Sequence, residues 1–335
     1  MSNTYTSARD HIGLYDQSTK TGRLIGRGKD AIDLLHRMST NDLKPVEQQP
    51  LSGAQTVLTN EKGRIIDLIT VLNRGTDSLI LTSKDHEENI IKWLDKFTIM
   101  DDARFERATE AIAQFLLIGR GAYGMIRDLI GVDPSSIARF HAVNIEIAGV
   151  TVLVQKSVRI AESGWTILVD QANAVAVFDA LQAQVLELGG AILDDETYDV
   201  LRIETGIPAA PNEMNEKHNP LEAALVTAVS FTKGCYIGQE VIARLDSYDK
   251  VQRHLLGVRL TENPSSELPL QLFSKEGEAI GEVTSLAFSP GIEAFIGLAY
   301  IKSAYSNPGA QYYVKSEKGD ITATLEKLPF ELELV

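Results

Sequence analysis

Cysteine is nearly absent from this 335-residue chain, where Cys235 stands alone. No internal disulfide and no multi-cysteine metal or cluster site forms within one copy. Basic residues are few beside acidic ones, 32 Lys and Arg against 46 Asp and Glu, for a formal net charge of −14. That balance excludes broad, non-specific nucleic-acid binding, which rests on cations neutralising phosphates, while leaving room for a local basic pocket around a small anion. No run of ~18 apolar residues occurs, so no membrane span is expected. The N-terminus, MSNTYTSARDHIGLYD, lacks the basic flank and apolar core of a signal peptide, so the expected location is cytoplasmic. No repeat of ~20–50 residues points to a solenoid or propeller. The six histidines are scattered, and neither HExxH nor GxSxG occurs, so neither a metal site nor a hydrolase elbow is expected. What remains is an ordinary globular composition, 44% hydrophobic and 23% charged, with length for two or three packed subdomains.

Hydrophobic periodicity orders the chain. Apolar spacing predicts a helix over residues 28–38, with Ile32, Leu35 and Met38 inward. QTVLTN and GRIIDLITVL read as a strand pair turning at Glu61-Lys62-Gly63. The strand SLILTS follows, then a helix over residues 85–97 whose acidic first turn suits the macrodipole. AIAQFLLIG and SGWTILVD read as strands, AYGMIRDLIG as a short helix, and HAVNIEIAG with VTVLVQK as a strand pair around Gly149. ANAVAVFDALQAQVLELGG is an amphipathic helix closed by glycines. Such alternation with frequent hairpins predicts α+β layers. After about residue 250 only short strands separated by Gly, Pro, Asn and Ser remain, which predicts a small closed β-barrel. The expected division is an α+β region over residues 1–245, built of two intertwined subdomains, and a barrel over 246–335.

Two motifs carry candidate chemistry. Gly119, Gly121 and Gly124 keep GxGxxG spacing between a strand and a helix, with Glu146 downstream, the outline of a dinucleotide site. Glu146 falls mid-strand and no run of βαβ units surrounds it, so a tight strand-to-helix turn is expected. An NAD(P)-dependent oxidoreductase therefore ranks third among the function classes. Lys233 to Glu240, KGCYIGQE, is chemically denser, with two glycines, the cysteine, a cation, an aromatic, an amide and a carboxylate. Core segments avoid such a mixture, because each buried polar group needs a partner. Gly234 and Gly238 suit a sharp turn or a close approach to a ligand. Lys233 is near enough in sequence for its charge to favour a Cys235 thiolate, and Tyr236 offers a flat face to an aromatic ligand. Composition alone leaves open whether this is a ligand loop or a structural loop with solvated polar groups.

KGCYIGQE, with Arg244 downstream, resembles the signature of the YgfZ family of folate-binding proteins. These are relatives of the glycine cleavage T-protein (aminomethyltransferase) and of mitochondrial proteins that mature iron–sulfur enzymes. LYDQS, HRMSTNDLKP with Asn41 and Asp42, TNEKGRIIDLITVL and YDVLRIETGIP resemble that superfamily's landmarks in order, so the likeness spans essentially the whole chain. The resemblance implies an α+β fold, with a ferredoxin-like and a second α+β subdomain around a folate channel, plus the C-terminal barrel. It implies tetrahydrofolate or a one-carbon derivative as cofactor. Glu204 matches the carboxylate that holds the pterin through paired hydrogen bonds, with Arg202 on the same face if LRIETGIP is a strand. Asn41, Tyr236, Gln239, Glu240 and Arg244 join them as candidate folate contacts, and Cys235 with Lys233 forms the candidate functional thiol.

Departures from the T-proteins refine this expectation. There the second Asp of a GGILDDLIV-like strand serves the aminomethyl chemistry. Here GRIIDLITV places Leu68 at that position, Asp67 matches only the first Asp, and Ser83 replaces an asparagine. The resemblance thus points to a YgfZ-like tetrahydrofolate-binding protein that supports assembly or repair of iron–sulfur enzymes. Its partners would be those enzymes or their assembly proteins, with any link to tRNA modification indirect. The alternative is a folate-dependent aminomethyltransferase of the T-protein type.

Overall fold

The computed structural model describes residues 2–160, 163–248, 250–316 and 319–331. Its helices are α1 Ser2–Asp10, α2 Ala31–Met38, α3 Lys44–Gln48, α4 Glu87–Asp95, α5 Ala122–Ile130, α6 Ala174–Glu187, α7 Asp195–Thr205 and α8 Gln239–Ser247. The strands through the middle of the chain are β1 Gly13–Asp16, β2 Thr21–Arg27, β3 Gly53–Thr59, β4 Ile65–Asn73, β5 Ser78–Ser83, β6 Arg104–Arg107, β7 Ile112–Ile118, β8 Ala142–Ile147, β9 Val150–Ile160, β10 Ser163–Asp170 and β11 Ala191–Ile192. Those of the C-terminal part are β12 Arg253–Leu260, β13 Leu270–Phe273, β14 Ala279–Ser289, β15 Ala294–Lys302, β16 Gln311–Ser316 and β17 Gly319–Glu326. The elements fall into two compact units. One holds residues up to 62, 66–194 and 227–239; the other holds 63–65, 195–226 and 240 onward.

The first unit contains a sheet ordered β3-β4-β5-β2-β6 and another ordered β11-β1-β7-β10-β9-β8. Successive residues of a strand point to opposite faces, and these strands bury both. Ile69, Val71 and Ile80 join α2 and α4 in one core, whereas Leu72 and Leu79, one position away, meet Ile112 and Leu168 of the second sheet. On that sheet's far side Phe115, Leu117, Trp165 and Ile167 pack under α5 and α6. Helix, sheet, sheet and helix are therefore stacked in that order. Ile32, Leu35 and Met38 are buried, as their spacing predicts. The strand pair at Gly149 forms as β8 antiparallel to β9, with Ala148 and Gly149 both at positive φ in the turn.

In the second unit the six C-terminal strands close into a barrel ordered β12-β15-β14-β13-β16-β17. Val258, Leu272, Val283, Ile301 and Leu325 fill it. LRIETGIP, whose strand reading would put Arg202 and Glu204 on one face, is instead the end of α7 and the turn that follows. Asp195 and Glu196 occupy that helix's first turn, and Gly206 follows its last residue at φ +78. Acidic start and left-handed glycine stop are helix signals, and they outweigh five residues of apolar alternation. On a helix, residues two apart lie about 200° apart around the axis, so Arg202 and Glu204 do not share a face. No helix among the described residues is long and apolar enough to cross a membrane.

Candidate functional site

Residues 227–239, which carry most of the KGCYIGQE loop, belong to the first unit. The loop is tied to the corner between α2 and β3. Thr40 Oγ1 donates to Ala228 O, Ser230 N to Thr40 O, Thr59 Oγ1 to Ile237 O and Ile237 N to Arg37 O. Lys233 is the main fastening. Its buried Nζ donates to the carbonyls of His36, Ser39 (2.8 Å) and Asn41 (2.7 Å), which engages all three ammonium protons. Burial pushes this ammonium down to about 8, against the opposing pull of Asp42. The same Nζ lies 5.1 Å from the centroid of the Tyr236 ring, within cation–π range. His36 accepts the Leu43 N–H on Nδ1 (3.1 Å), which leaves its proton on Nε2; burial and the Lys233 charge push its pKa down.

Two expectations for this loop are corrected. Lys233, expected to favour the Cys235 thiolate by its charge, points inward and gives its donors to backbone oxygens, so its role is to fasten the loop. Tyr236 is buried, with Lys233 over its ring and burial pushing its hydroxyl up to about 12, so it is not an open stacking platform. Cys235 is exposed at the loop's tip. Only Gly238, at φ +83, needs to be glycine; a Cβ on Gly234 would meet nothing within 4 Å. Asn41 Nδ2 donates to Gln55 O and its Oδ1 accepts Asp42 N, so its amide shapes its own loop.

Asp67 shows what the period of two does on β4. It lies on the α4 face with Ile65 and Ile69, fully buried, whereas Leu68 is half-buried on the other face. The Asp67 carboxylate accepts Ser83 Oγ (2.5 Å), Ser83 N (2.9 Å) and Leu68 N (3.0 Å), and His86 Nδ1 stands 3.5 Å away. Ser83, noted in the sequence only as a missing asparagine, is thus the main clamp on Asp67. The carboxylate raises the His86 pKa above 6.5. A base whose folded pKa exceeds its unfolded one adds stability below the unfolded pKa and loses it as pH rises through the folded value. His86→Gln should therefore cost stability near pH 6 and progressively less toward pH 8, read by urea unfolding. A cost that does not change with pH would remove the pair from the account.

In the second unit, Glu204 is buried in the last turn of α7, with 3% of its surface exposed, and accepts Ser289 Oγ on Oε1 (2.5 Å). Arg202 is also buried. Its Nε donates to Asp199 Oδ1, its NH1 group to Ile207 O and Glu213 Oε2 (3.4 Å), and its NH2 group to Ser285 Oγ (2.8 Å). Arg202 is therefore an anchor of the fold and not a companion of Glu204. Glu213 is a residue that sequence reasoning missed. It is fully buried and accepts Thr284 Oγ1 (2.5 Å), Ser285 Oγ (2.7 Å) and Ala209 N (2.9 Å). Adjacent strand residues normally face opposite ways, yet Thr284 and Ser285 both reach it. The β14–β15 register shifts between Val283 and Ser285, and such a bulge re-aims side chains. Glu240 and Arg244 are exposed on α8 in this second unit, and Gln239 is half-buried in the first.

The GxGxxG segment is filled by its own chain. A Cβ on Gly119 (φ +94) would lie 2.1 Å from Ala8 O, and Gly121 N donates to His11 O at 2.7 Å. The backbone leaving α1 thus takes the donor that a pyrophosphate would need. No group of three His, Cys, Asp or Glu that could hold a metal ion occurs among the described residues.

Comparison with known proteins agrees with this architecture. Residues 2–233 match the GCVT N-terminal domain family, and residues 253–330 match the glycine cleavage T-protein C-terminal barrel domain family. A probable aminomethyltransferase of Pyrococcus horikoshii is 27% identical over 93% of this chain and 84% of its own length. An aminomethyltransferase of Caldanaerobacter subterraneus subsp. tengcongensis is 29% identical over 92% of this chain and 82% of its own. The crystal structure of glycine cleavage system aminomethyltransferase T from Bartonella henselae shares the fold, with a TM-score of 0.85 at 19% identity, covering 98% of this chain and 88% of that one.

Proposed function

Since the chain belongs to the glycine cleavage T-protein family, we propose that it binds tetrahydrofolate or a one-carbon derivative and serves one-carbon chemistry on it. The observation that carries this reading is Glu204. Burial and the negative end of a helix both disfavour a carboxylate in the last turn of α7, and Glu204 stands where the family resemblance puts its pterin-holding carboxylate. A pterin suits such a carboxylate, since its ring N–H and 2-amino group donate two parallel hydrogen bonds that a carboxylate accepts. Ser289 limits the rotation of that carboxylate. Glu240 and Arg244, exposed in the same unit as Glu204, remain candidate contacts within this proposal.

Transfer of an aminomethyl group to tetrahydrofolate is the finer activity that the relatives' names favour. Support of iron–sulfur enzymes in the YgfZ manner is a second reading, favoured by the exposed thiol of Cys235 on its fastened loop and by the enclosure of Asp67. A single thiolate does not hold a cluster, so in this reading the sulfur acts as one ligand, a sulfur carrier or a redox contact. Cys235→Ser should unfold at the same urea concentration as the parent, and maleimide should label the native parent at neutral pH. Labelling only after unfolding would contradict the exposed-thiol account.

Calorimetric titration of the full-length protein with tetrahydrofolate tests the shared proposal, with NAD as control. Saturable binding of the folate alone is expected, and no binding of either reduced or one-carbon-loaded folate would overturn it. Ammonia release from an aminomethyl-lipoyl donor in the presence of tetrahydrofolate would assign the aminomethyl reading. No release, together with failure of Cys235→Ser to restore iron–sulfur enzyme activity in a deletion strain, would assign the other.

A further inference from the structure

Ser289 is the last residue of β14, wholly buried, and lies opposite Ala294 in the pairing with β15. Residues 290–293 turn between the two strands, with Glu293 at φ +53. That turn brings the Ile292 N–H onto Ser289 Oγ at 3.1 Å, while the same oxygen lies 2.5 Å from Glu204 Oε1. A backbone N–H only donates, so Ser289 Oγ is the acceptor of the first bond. Its own proton has no acceptor other than Glu204 Oε1 among the described residues, and burial keeps water from it. The relay therefore runs one way, from the Ile292 N–H through the Ser289 hydroxyl to Glu204.

The main chain of Glu204 is held as well. Phe330 N donates to Glu204 O at 2.8 Å. The Phe330 ring is itself seated on β12, where a Cβ on Gly257 would lie 2.7 Å from its Cζ. Backbone and carboxylate of Glu204 are thus both fixed from within the second unit. One donor on Oε1 does not exhaust a carboxylate, which has about four lone-pair sites. Paired acceptance asks for more than a free lone pair, because both oxygens must lie in the plane of two donors. A carboxylate already held in one orientation loses less rotamer freedom when such a ligand arrives.

Resting on the folate reading, we propose that Ser289 is a positioning residue that sets specificity at that site. Held by the β14–β15 turn, its hydroxyl presents Glu204 as a pre-aligned acceptor. The ligand class so selected is a 2-amino-4-oxo ring with two adjacent N–H donors, and rings that lack one of those donors are discriminated against.

Calorimetric titration of the full-length protein with tetrahydrofolate and with its 2-desamino-2-methyl analogue, which lacks the second donor, tests this role. Ser289→Ala and Ser289→Cys should each bind tetrahydrofolate about tenfold more weakly than the parent, the worth of one hydrogen bond to a charged group. Their preference for tetrahydrofolate over the analogue should also narrow, because the 2-amino group gains little from a carboxylate that is not aligned. In a Glu204→Gln background, adding Ser289→Ala should change the affinity by less than about twofold, since both substitutions disable one device. Unfolding midpoints show which variants fold. Where the alanine variant does not, the cysteine variant replaces it, since a thiol is only a weak donor. Full tetrahydrofolate affinity in a folded Ser289 variant, beside a weakened Glu204→Gln, would overturn the role of Ser289 and leave the folate reading standing. Weaker binding with the parent's preference unchanged would make Ser289 a structural residue and overturn the role too. Failure of the parent to bind tetrahydrofolate would overturn both.

Discussion

Glu213→Ala is expected to destabilise the protein by about 3–5 kcal/mol, the loss usual when one member of a buried, hydrogen-bonded ion pair is removed. The carboxylate accepts from Thr284, Ser285, Ala209 and Arg202, all inside the second unit. Its removal leaves the Arg202 guanidinium buried with less compensation and strands two hydroxyls. Glu213→Gln should be milder, because its amide oxygen still accepts while its NH2 confronts donors. Urea unfolding followed by circular dichroism reads both. A loss below about 1 kcal/mol for the alanine variant would show that water replaces the carboxylate and that the network is not buried as described.

Lys233→Met should cost on the order of 3 kcal/mol. Three carbonyl oxygens, those of His36, Ser39 and Asn41, then lose the donor they share, and each buried acceptor left unpaired costs about 1–3 kcal/mol before relaxation. Lys233→Arg should not restore it, since a planar guanidinium fork does not fit three oxygens gathered around one ammonium. The loop carrying Cys235 should then loosen, so hydrogen exchange of its amides should rise in both variants. If Lys233→Arg is as stable as the parent, the ammonium is not the fastening.

These residues also mark how far the sequence was legible. Period-two runs punctuated by Gly and Pro placed the barrel strands and the two sheets, because a strand that buries one or both faces writes that burial into its alternation. The same rule put Asp67 and Leu68 on opposite faces. LRIETGIP was misread because five residues fit either period, and the deciding signal, Asp195-Glu196, lies a full turn or more upstream. Lys233 was read only for the effect of its charge on the cysteine two residues away. Its actual partners lie more than 190 positions away in the chain, a pairing that no local pattern encodes. Glu213 was invisible for a related reason. Its partners converge only through a bulge in β14, and its local sequence, PNEMNEKHNP, reads as a polar loop. The single thiol was plain from composition, and so was the chemical density of its loop; which way each side chain turned was not.

The central claim is that Glu204 holds a reduced folate. It is tested most directly by comparing tetrahydrofolate affinity of the parent and of Glu204→Gln, with unfolding midpoints measured alongside. Glutamine keeps the shape and the Ser289 hydrogen bond but cannot accept two parallel donors, so affinity should fall about ten- to a hundredfold, the worth of one charged hydrogen bond. An equal dissociation constant in a folded Glu204→Gln protein would contradict the account and remove this carboxylate from the folate site.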